Sequence, residues 1–140
     1  MQAEAVLERD DAAQVSARQR RGLSGRRAYE SGLSAEQRIA QDYERRGLTI
    51  ARRRWRGAGG EIDLITRNGE EVIFVEVKQS RDLHRAAERL SLRQMRRVYA
   101  SAEQFLAGEP AGQLTPSRFD VALVDGAGRF EIIENAFGLV

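Results

Sequence analysis

The stretch that decides the reading runs Gly60-Glu61-Ile62-Asp63-Leu64-Ile65-Thr66-Arg67, then Asn68-Gly69, then Glu70-Glu71-Val72-Ile73-Phe74-Val75-Glu76-Val77-Lys78. Two alternating segments rich in branched residues flank an Asn-Gly pair, which is the strongest short-range signal for a β-hairpin. With Asn68-Gly69 as a two-residue turn, Ile65 falls opposite Val72, Asp63 opposite Phe74, and Glu61 opposite Glu76. Side chains alternate between the faces of a strand. One face therefore carries Glu61, Asp63, Ile65, Val72, Phe74, Glu76 and Lys78, and the other carries Ile62, Leu64, Ile73, Val75 and Val77. The second face is wholly apolar and reads as core. The first is apolar near the turn and acidic at its far end.

That acidic end carries chemistry. Asp63 and Glu76 become diagonal neighbours, roughly 7–8 Å apart at the backbone and closer at the carboxylates. Glu61 would face Glu76, an arrangement like charges avoid unless a cation relieves it. Magnesium suits such a place, because it binds through one or two carboxylates and keeps waters and substrate phosphate as its other ligands; manganese is the alternative ion. Glu61, on the same face, is a further candidate ligand. Carboxylates that hold a metal against a scissile phosphate, with an amine on the same face, fit phosphodiester hydrolysis. The amine of Lys78 either orients the nucleophile or stabilises developing negative charge.

Lys78 is also the only lysine in the chain: of 23 basic residues, 22 are arginine. A general preference for arginine does not explain why the one compact, deprotonatable cation stands at the end of the most strand-like segment. A lone Glu-x-Lys is a common surface pair. Its conjunction with Asp63 across a hairpin, with Glu36 on a packed helix face and with the sole lysine favours an active site over a solvated face.

Working outward, Ser34-Ala35-Glu36-Gln37 is a capping-box pattern that starts a helix, and Gly47 stops it near Arg46. Its inward stripe is Ile39, Ala40 and Tyr43, and Glu36 shares that face. Leu48–Trp55 reads as a strand and Gly57-Ala58-Gly59-Gly60 as a loop, whose glycines could approach a backbone phosphate although they lack a phosphate-loop pattern. After the hairpin, Ser91 caps a second helix over Leu92–Leu106. Its buried stripe is expected at Leu92, Met95, Tyr99, Ala102, Phe105 and Leu106, with Arg93, Arg96 and Arg97 on the other face. Arg118–Val124 and Arg129–Ile133 complete the strands. The order is α-β-β-β-α-β-β, an α/β fold with a mixed central sheet and flanking helices.

The chain has 140 residues, which suits one compact domain. Residues 32–140 form it; residues 1–31, ending in Arg18, Arg20, Arg21, Arg26 and Arg27, read as a basic N-terminal extension. Net charge is only +2. It is unevenly spread: residues 101–140 carry −4 and the first hundred +6, which makes the first part the nucleic-acid side. With no cysteine and one histidine, His84, thiolate zinc sites and multi-histidine cages are excluded. No apolar run approaches a membrane span, and the N-terminus lacks the basic-then-apolar order of a secretory signal, so a cytoplasmic protein with no membrane partner is expected.

Arg52, Arg53, Arg54 and Arg56, around the only tryptophan, are candidate phosphate contacts, and Arg81, Arg85, Arg93 and Arg97 could extend the surface. Trp55 itself reads as packing inward. Arg118 and Asp120 read as structural contacts and His84 as surface.

Gly60-Glu61-Ile62-Asp63-Leu64-Ile65 followed by Phe74-Val75-Glu76-Val77-Lys78 resembles the active-site hairpin of the PD-(D/E)xK nuclease superfamily. More narrowly, it resembles the YraN family of predicted endonucleases, which is similar to archaeal Holliday-junction resolvases. The likeness spans residues 32–140 and includes Ala35-Glu36, Trp55-Arg56, Arg118-Phe119-Asp120 and Asn135-Ala136-Phe137. It departs at Arg54, where that family usually has Asn, at Gln79-Ser80, and at Arg93-Gln94, where a Lys is frequent. The resemblance implies a restriction-endonuclease-like fold, metal held by Asp63 and Glu76, a catalytic Lys78, and Glu36 completing the site. The expected activity is a magnesium- or manganese-dependent endonuclease acting on branched or otherwise structured DNA, DNA being favoured over RNA. Two cuts on a symmetric substrate would favour a homodimer. The alternatives are a nucleic-acid-binding module of the same fold without independent catalysis, and an interaction protein docking through its acidic C-terminal part.

Overall fold

The structure, a computed structural model, describes residues 34–83 and 92–136. The elements are α1 (Ala35–Arg45), β1 (Thr49–Gly57), β2 (Gly60–Asn68), β3 (Glu71–Gln79), α2 (Leu92–Leu106), a 3-10 turn (Gly112–Leu114), β4 (Ser117–Val124) and β5 (Phe130–Ile133). The strands form one sheet in the order β1-β2-β3-β4-β5. Only β3 and β4 pair in parallel, through the crossover that contains α2; the other pairs are antiparallel. This is the mixed sheet with flanking helices that the sequence pattern predicts. The basic extension at 1–31, His84, Arg85, Ser91 and Phe137 lie outside the described residues.

Helix α1 begins with both halves of the capping box. The Ser34 hydroxyl accepts from the Gln37 N–H at 3.1 Å, and the Gln37 side chain accepts from the Ser34 N–H at 2.8 Å. It ends at Gly47, whose φ of +93° lets the N–H groups of Gly47 and Leu48 reach back to the carbonyls of Glu44 and Tyr43. Ile39, Ala40 and Tyr43 are fully buried against Leu64, Ile73, Val75, Ala122, Val124, Phe130 and Ile132. On the opposite face of the sheet, Val98, Ala102 and Leu106 of α2 cover Ile62, Ile65, Val72 and Phe74. Trp55 packs inward there, edge-on to Phe105 with ring centroids 5.3 Å apart. The deepest line of α2 is therefore Val98, Ala102 and Leu106. Tyr99 and Met95, expected in the stripe, are only half-buried.

Two details of the hairpin differ from the pattern-based expectation, and both bear on the site. The turn is Gly69-Glu70, because Asn68 pairs with Glu71 and Ile65 with Phe74. Gly69 has φ +67°, which a two-residue turn of the II′ type demands of its first central residue. The register is shifted by two, an even number, so the faces are kept while the partners change. Second, Ile62 joins the α2 side together with Ile65, whereas Leu64 faces α1. Strict alternation fails around Asp63. Across the ladder, between the Arg53–Leu64 and Trp55–Ile62 pairs, Arg54 has φ +49°, a conformation rare for a long side chain. The irregularity of both strands meets at this one point.

Candidate active site

The β2–β3 ladder ends at the Leu64–Val75 pair. Beyond it the Asp63 carboxylate takes the place of a backbone acceptor and receives the Val77 N–H at 2.7 Å. In the continued register Asp63 comes level with Glu76 instead of lying diagonal to it. The facing Glu61–Glu76 pair expected from the Asn68-Gly69 turn does not form: Glu61 is exposed and stands opposite Arg56 on β1. The two-residue register shift is the physical reason.

Glu76 is buried, 7 % exposed, on the face covered by α2. Its Oε2 accepts a hydrogen bond from the Gln94 amide at 2.6 Å and lies 3.7 Å from the Lys78 ammonium. Its Oε1 is buried with no hydrogen-bond partner, a costly state for a carboxylate oxygen. Burial pushes the Glu76 carboxyl above its usual range, partly offset by Lys78, by the Gln94 hydrogen bond and by Arg97. Asp63 is pushed further, to about 7. Burial is the largest cause, followed by the negative charge of Glu76; the Val77 N–H opposes, Glu36 adds to the rise and Lys78 pulls the other way. Asp63, Glu76, Lys78 and Glu36 thus interact as one electrostatic unit. Glu36 is half-buried on α1 and is held by Arg54, Nε to Oε1 at 3.1 Å.

These residues fit a hard divalent cation. An unpartnered buried carboxylate oxygen beside a second carboxylate whose ionisation is suppressed is a pair of oxygen donors short of one positive charge. Among the described residues no three His, Asp or Glu side chains are gathered as a ready-made cage. Two carboxylates that leave the other positions to water and phosphate are the magnesium pattern and do not require one.

The glycine-rich segment approaches a helix in this structure. A Cβ on Gly59 would lie 2.4 Å from the Arg97 carbonyl oxygen and one on Gly57 2.8 Å from Ser101 Cβ. The β1–β2 turn therefore sits directly on α2. Ser101 donates its hydroxyl to the Gly60 carbonyl at 2.7 Å, Arg97 Nε donates to the Gly59 carbonyl at 3.1 Å, and the Ala58 N–H reaches the Gln104 side chain at 2.6 Å. This docking sets α2 at a fixed height over β3 and brings Gln94 onto Glu76. Gln94 is the site residue that the sequence reading missed. Its spacing of four from Val98 was the available signal, hidden because the apolar stripe was set one position off.

Arg52, Arg53, Arg54, Arg56, Arg81, Arg93 and Arg97 are all exposed. Of these, Arg54 and Arg97 are tied to the acidic unit, through Glu36 and through the field felt by Glu76. Arg52, Arg53 and Arg56 stand on β1, an edge strand, where charge also discourages unwanted strand pairing. No helix among the described residues is long and apolar enough to cross a membrane.

A mixed five-stranded sheet in α-β-β-β-α-β-β order, with Asp, Glu and Lys at the parting ends of two central strands, defines a protein of restriction-endonuclease-like architecture. Comparison with known proteins sharpens the class to a family. Residues 35–124 match the model of "Uncharacterised protein family UPF0102". The chain is 66 % identical over 114 residues to a UPF0102 protein of Ruegeria pomeroyi, covering 81 % of this chain and 93 % of that one. It is 62 % identical over 115 residues to one of Cereibacter sphaeroides, covering 82 % and 98 %. The chain belongs to this family, the YraN family.

Proposed function

We propose that the protein is a metal-dependent endonuclease of the PD-(D/E)xK kind, hydrolysing phosphodiester bonds in branched or structured DNA. The observation that carries the reading is the partnerless, buried Oε1 of Glu76 beside Asp63, whose carboxyl is raised to about 7, with the chain's sole lysine 3.7 Å from Glu76 Oε2. In this reading Asp63 and Glu76 hold a magnesium or manganese ion, with Glu36 as a third ligand. The bound ion supplies Lewis acidity that lowers the pKa of water and offsets negative charge on the phosphate. The Lys78 ammonium orients the attacking water or neutralises the developing charge. Gln94 holds Glu76 through Oε2 and leaves Oε1 available to such an ion. Arg52, Arg53, Arg54, Arg56, Arg81, Arg93 and Arg97 contact backbone phosphates, and a twofold dimer would present two such sites to a symmetric junction.

Incubation of the full chain with junction, flap and duplex DNAs and Mn2+ tests this. Cleavage that the Lys78→Ala variant lacks is the expected result; no cleavage above that variant overturns it. A second reading, a DNA-binding module of the same fold without catalysis, is favoured by the absence of a three-acid cage among the described residues and by the exposed arginines. It predicts salt-dependent binding that survives Glu76→Gln, with no product on any substrate.

A further inference from the structure

We infer that Arg54 gates the metal site: it holds Glu36 away from the ion until a DNA phosphate takes over its guanidinium. The inference rests on the endonuclease reading and adds the order in which the site is completed.

Three observations converge on Arg54. Its Nε is paired with Glu36 Oε1 at 3.1 Å, and its side chain is 66 % exposed while that of Glu36 is 27 % exposed. The guanidinium is therefore open to an incoming ligand on the side away from the acid. Its backbone is at φ +49°, within a strand, a conformation that costs free energy and is kept only where the surroundings impose it. Finally, Arg54 lies across the ladder from Asp63, between the Arg53–Leu64 and Trp55–Ile62 pairs. Held by Arg54, Glu36 lies at the Asp63 end of the hairpin, so releasing Glu36 would add a third carboxylate to the pair Asp63 and Glu76. In the described arrangement no three acids meet, as expected if one of them is occupied by an internal cation.

A guanidinium exchanges one oxyanion for another readily, because a phosphate offers it the same forked acceptor geometry as a carboxylate. A phosphate in reach of Arg54 brings negative charge to the guanidinium and frees Glu36 in one movement. Metal affinity then depends on DNA, and the ion is held tightly only when a substrate is present. Arg54 is a positioning residue in this scheme, acting on the ion through Glu36.

The test is Mn2+ binding by the full chain, read as the rise in melting temperature with Mn2+ concentration, with and without a duplex carrying non-cleavable linkages. Wild type, Arg54→Asn and Arg45→Gln are compared, the last removing one exposed charge elsewhere on the surface. Without DNA, Arg54→Asn is expected to bind Mn2+ roughly fivefold more tightly than wild type, the scale of one exposed ion pair. Arg45→Gln should stay within about twofold of wild type on the same scale. Duplex should tighten Mn2+ binding in wild type and not in Arg54→Asn. Equal Mn2+ affinity in all three proteins, unchanged by duplex, overturns the gate and leaves the metal site standing. No Mn2+ response in any of them overturns the metal site and the gate with it. Glu36→Gln provides an independent check: it should bind Mn2+ like wild type without DNA and gain nothing when duplex is added, and a duplex-induced gain in that variant also overturns the gate.

Discussion

Two aspartates on the inner strands of the sheet, Asp120 buried and Asp63 half-buried, meet opposite fates. Asp120 on β4 is 1 % exposed and receives four hydrogen bonds. They come from the Tyr43 hydroxyl at 2.6 Å, from Arg118 Nε at 2.9 Å and its terminal nitrogen at 3.2 Å, and from the Asn135 N–H at 3.1 Å. Asp63 on β2 receives, among the described residues, the Val77 N–H alone, and feels the negative charges of Glu76 and Glu36. A carboxylate needs several donors to be stable out of water. Asp120 has them and joins α1, β4 and the chain beyond β5. Asp63 and Glu76 are short of them, and the deficit is what makes their end of the hairpin a site. The contrast teaches that burial alone does not mark a functional acid; burial without compensation does.

Breaking the satisfied side should have the largest effect. Asp120→Ala leaves the Tyr43 hydroxyl, the Arg118 guanidinium and the Asn135 N–H without their shared acceptor, and should cost about 3–5 kcal/mol in urea unfolding, the usual penalty for removing one partner of a buried ion pair. The variant's Mn2+ response, where it still folds, should match wild type. An Asp120→Ala protein as stable as wild type would erase the distinction between the two aspartates.

Lys78→Ala acts on the other side. Cleavage should fall by about a hundredfold or more, as when one stabiliser of transition-state charge is removed. Stability should fall by less than in Asp120→Ala, because the Lys78–Glu76 contact is 3.7 Å long and Glu76 keeps its Gln94 hydrogen bond. A Lys78→Ala protein that keeps its activity, or that loses activity only in step with a loss of stability as large as that of Asp120→Ala, would make Lys78 a structural residue like Arg118.

The same contrast has a pH signature. The Asp63 carboxyl is raised in the folded state from an ordinary 3.8 to about 7. Between those values the folded chain binds a proton that the unfolded chain has released, so stability is fully present below the lower value and falls as pH rises towards the upper. Glu76, also raised, adds a loss of the same sign. Wild type should therefore lose on the order of a few kcal/mol of stability between about pH 4 and pH 7. Asp63→Asn should flatten most of that slope, and Mn2+ should restore stability to wild type at pH 8 but not to this variant. Parallel slopes for the two proteins would show that Asp63 ionises in the fold as easily as in the unfolded chain.

Much of this was legible in the chain, and what was not has identifiable causes. The capping box at Ser34, the stop at Gly47, the bounds of α2 and the shared face of Phe74, Glu76 and Lys78 follow from local chemistry and simple periods, which act within a few residues. Asn-Gly favours a I′ turn, whereas this chain uses the glycine in the first central position and turns one residue later. A shift of two is invisible to face assignment, since it preserves alternation, yet it decides which acids are neighbours. Gln94 and the Arg54–Glu36 pair were hidden for another reason. They depend on how α2 and α1 sit on the sheet, and that is set by long-range packing such as the seating of Gly57 and Gly59 against α2. At Arg54, where the resembling family usually has Asn, the φ of +49° is one that Asn adopts more readily than most residues, so the backbone accounts for an Asn there and not for the Arg.

The smallest effect expected is also the one that isolates position from charge. Glu61 lies two residues before Asp63 and reads, from alternation alone, as part of the same acidic face. In the structure it stands opposite Arg56 and is exposed, so water already solvates it and an opposite charge is available across the ladder. Glu61→Gln should shift stability by less than about 1 kcal/mol, the ceiling for a cross-strand charge pair, and leave the Mn2+ titration of the melting temperature superimposable on wild type. Asp63→Asn, the same chemical change two residues away, should abolish that titration. Should the two variants lose Mn2+ binding equally, the strand must shift to the register that sets Glu61 against Glu76, and the deficit of donors around Asp63 would no longer be what selects the ion.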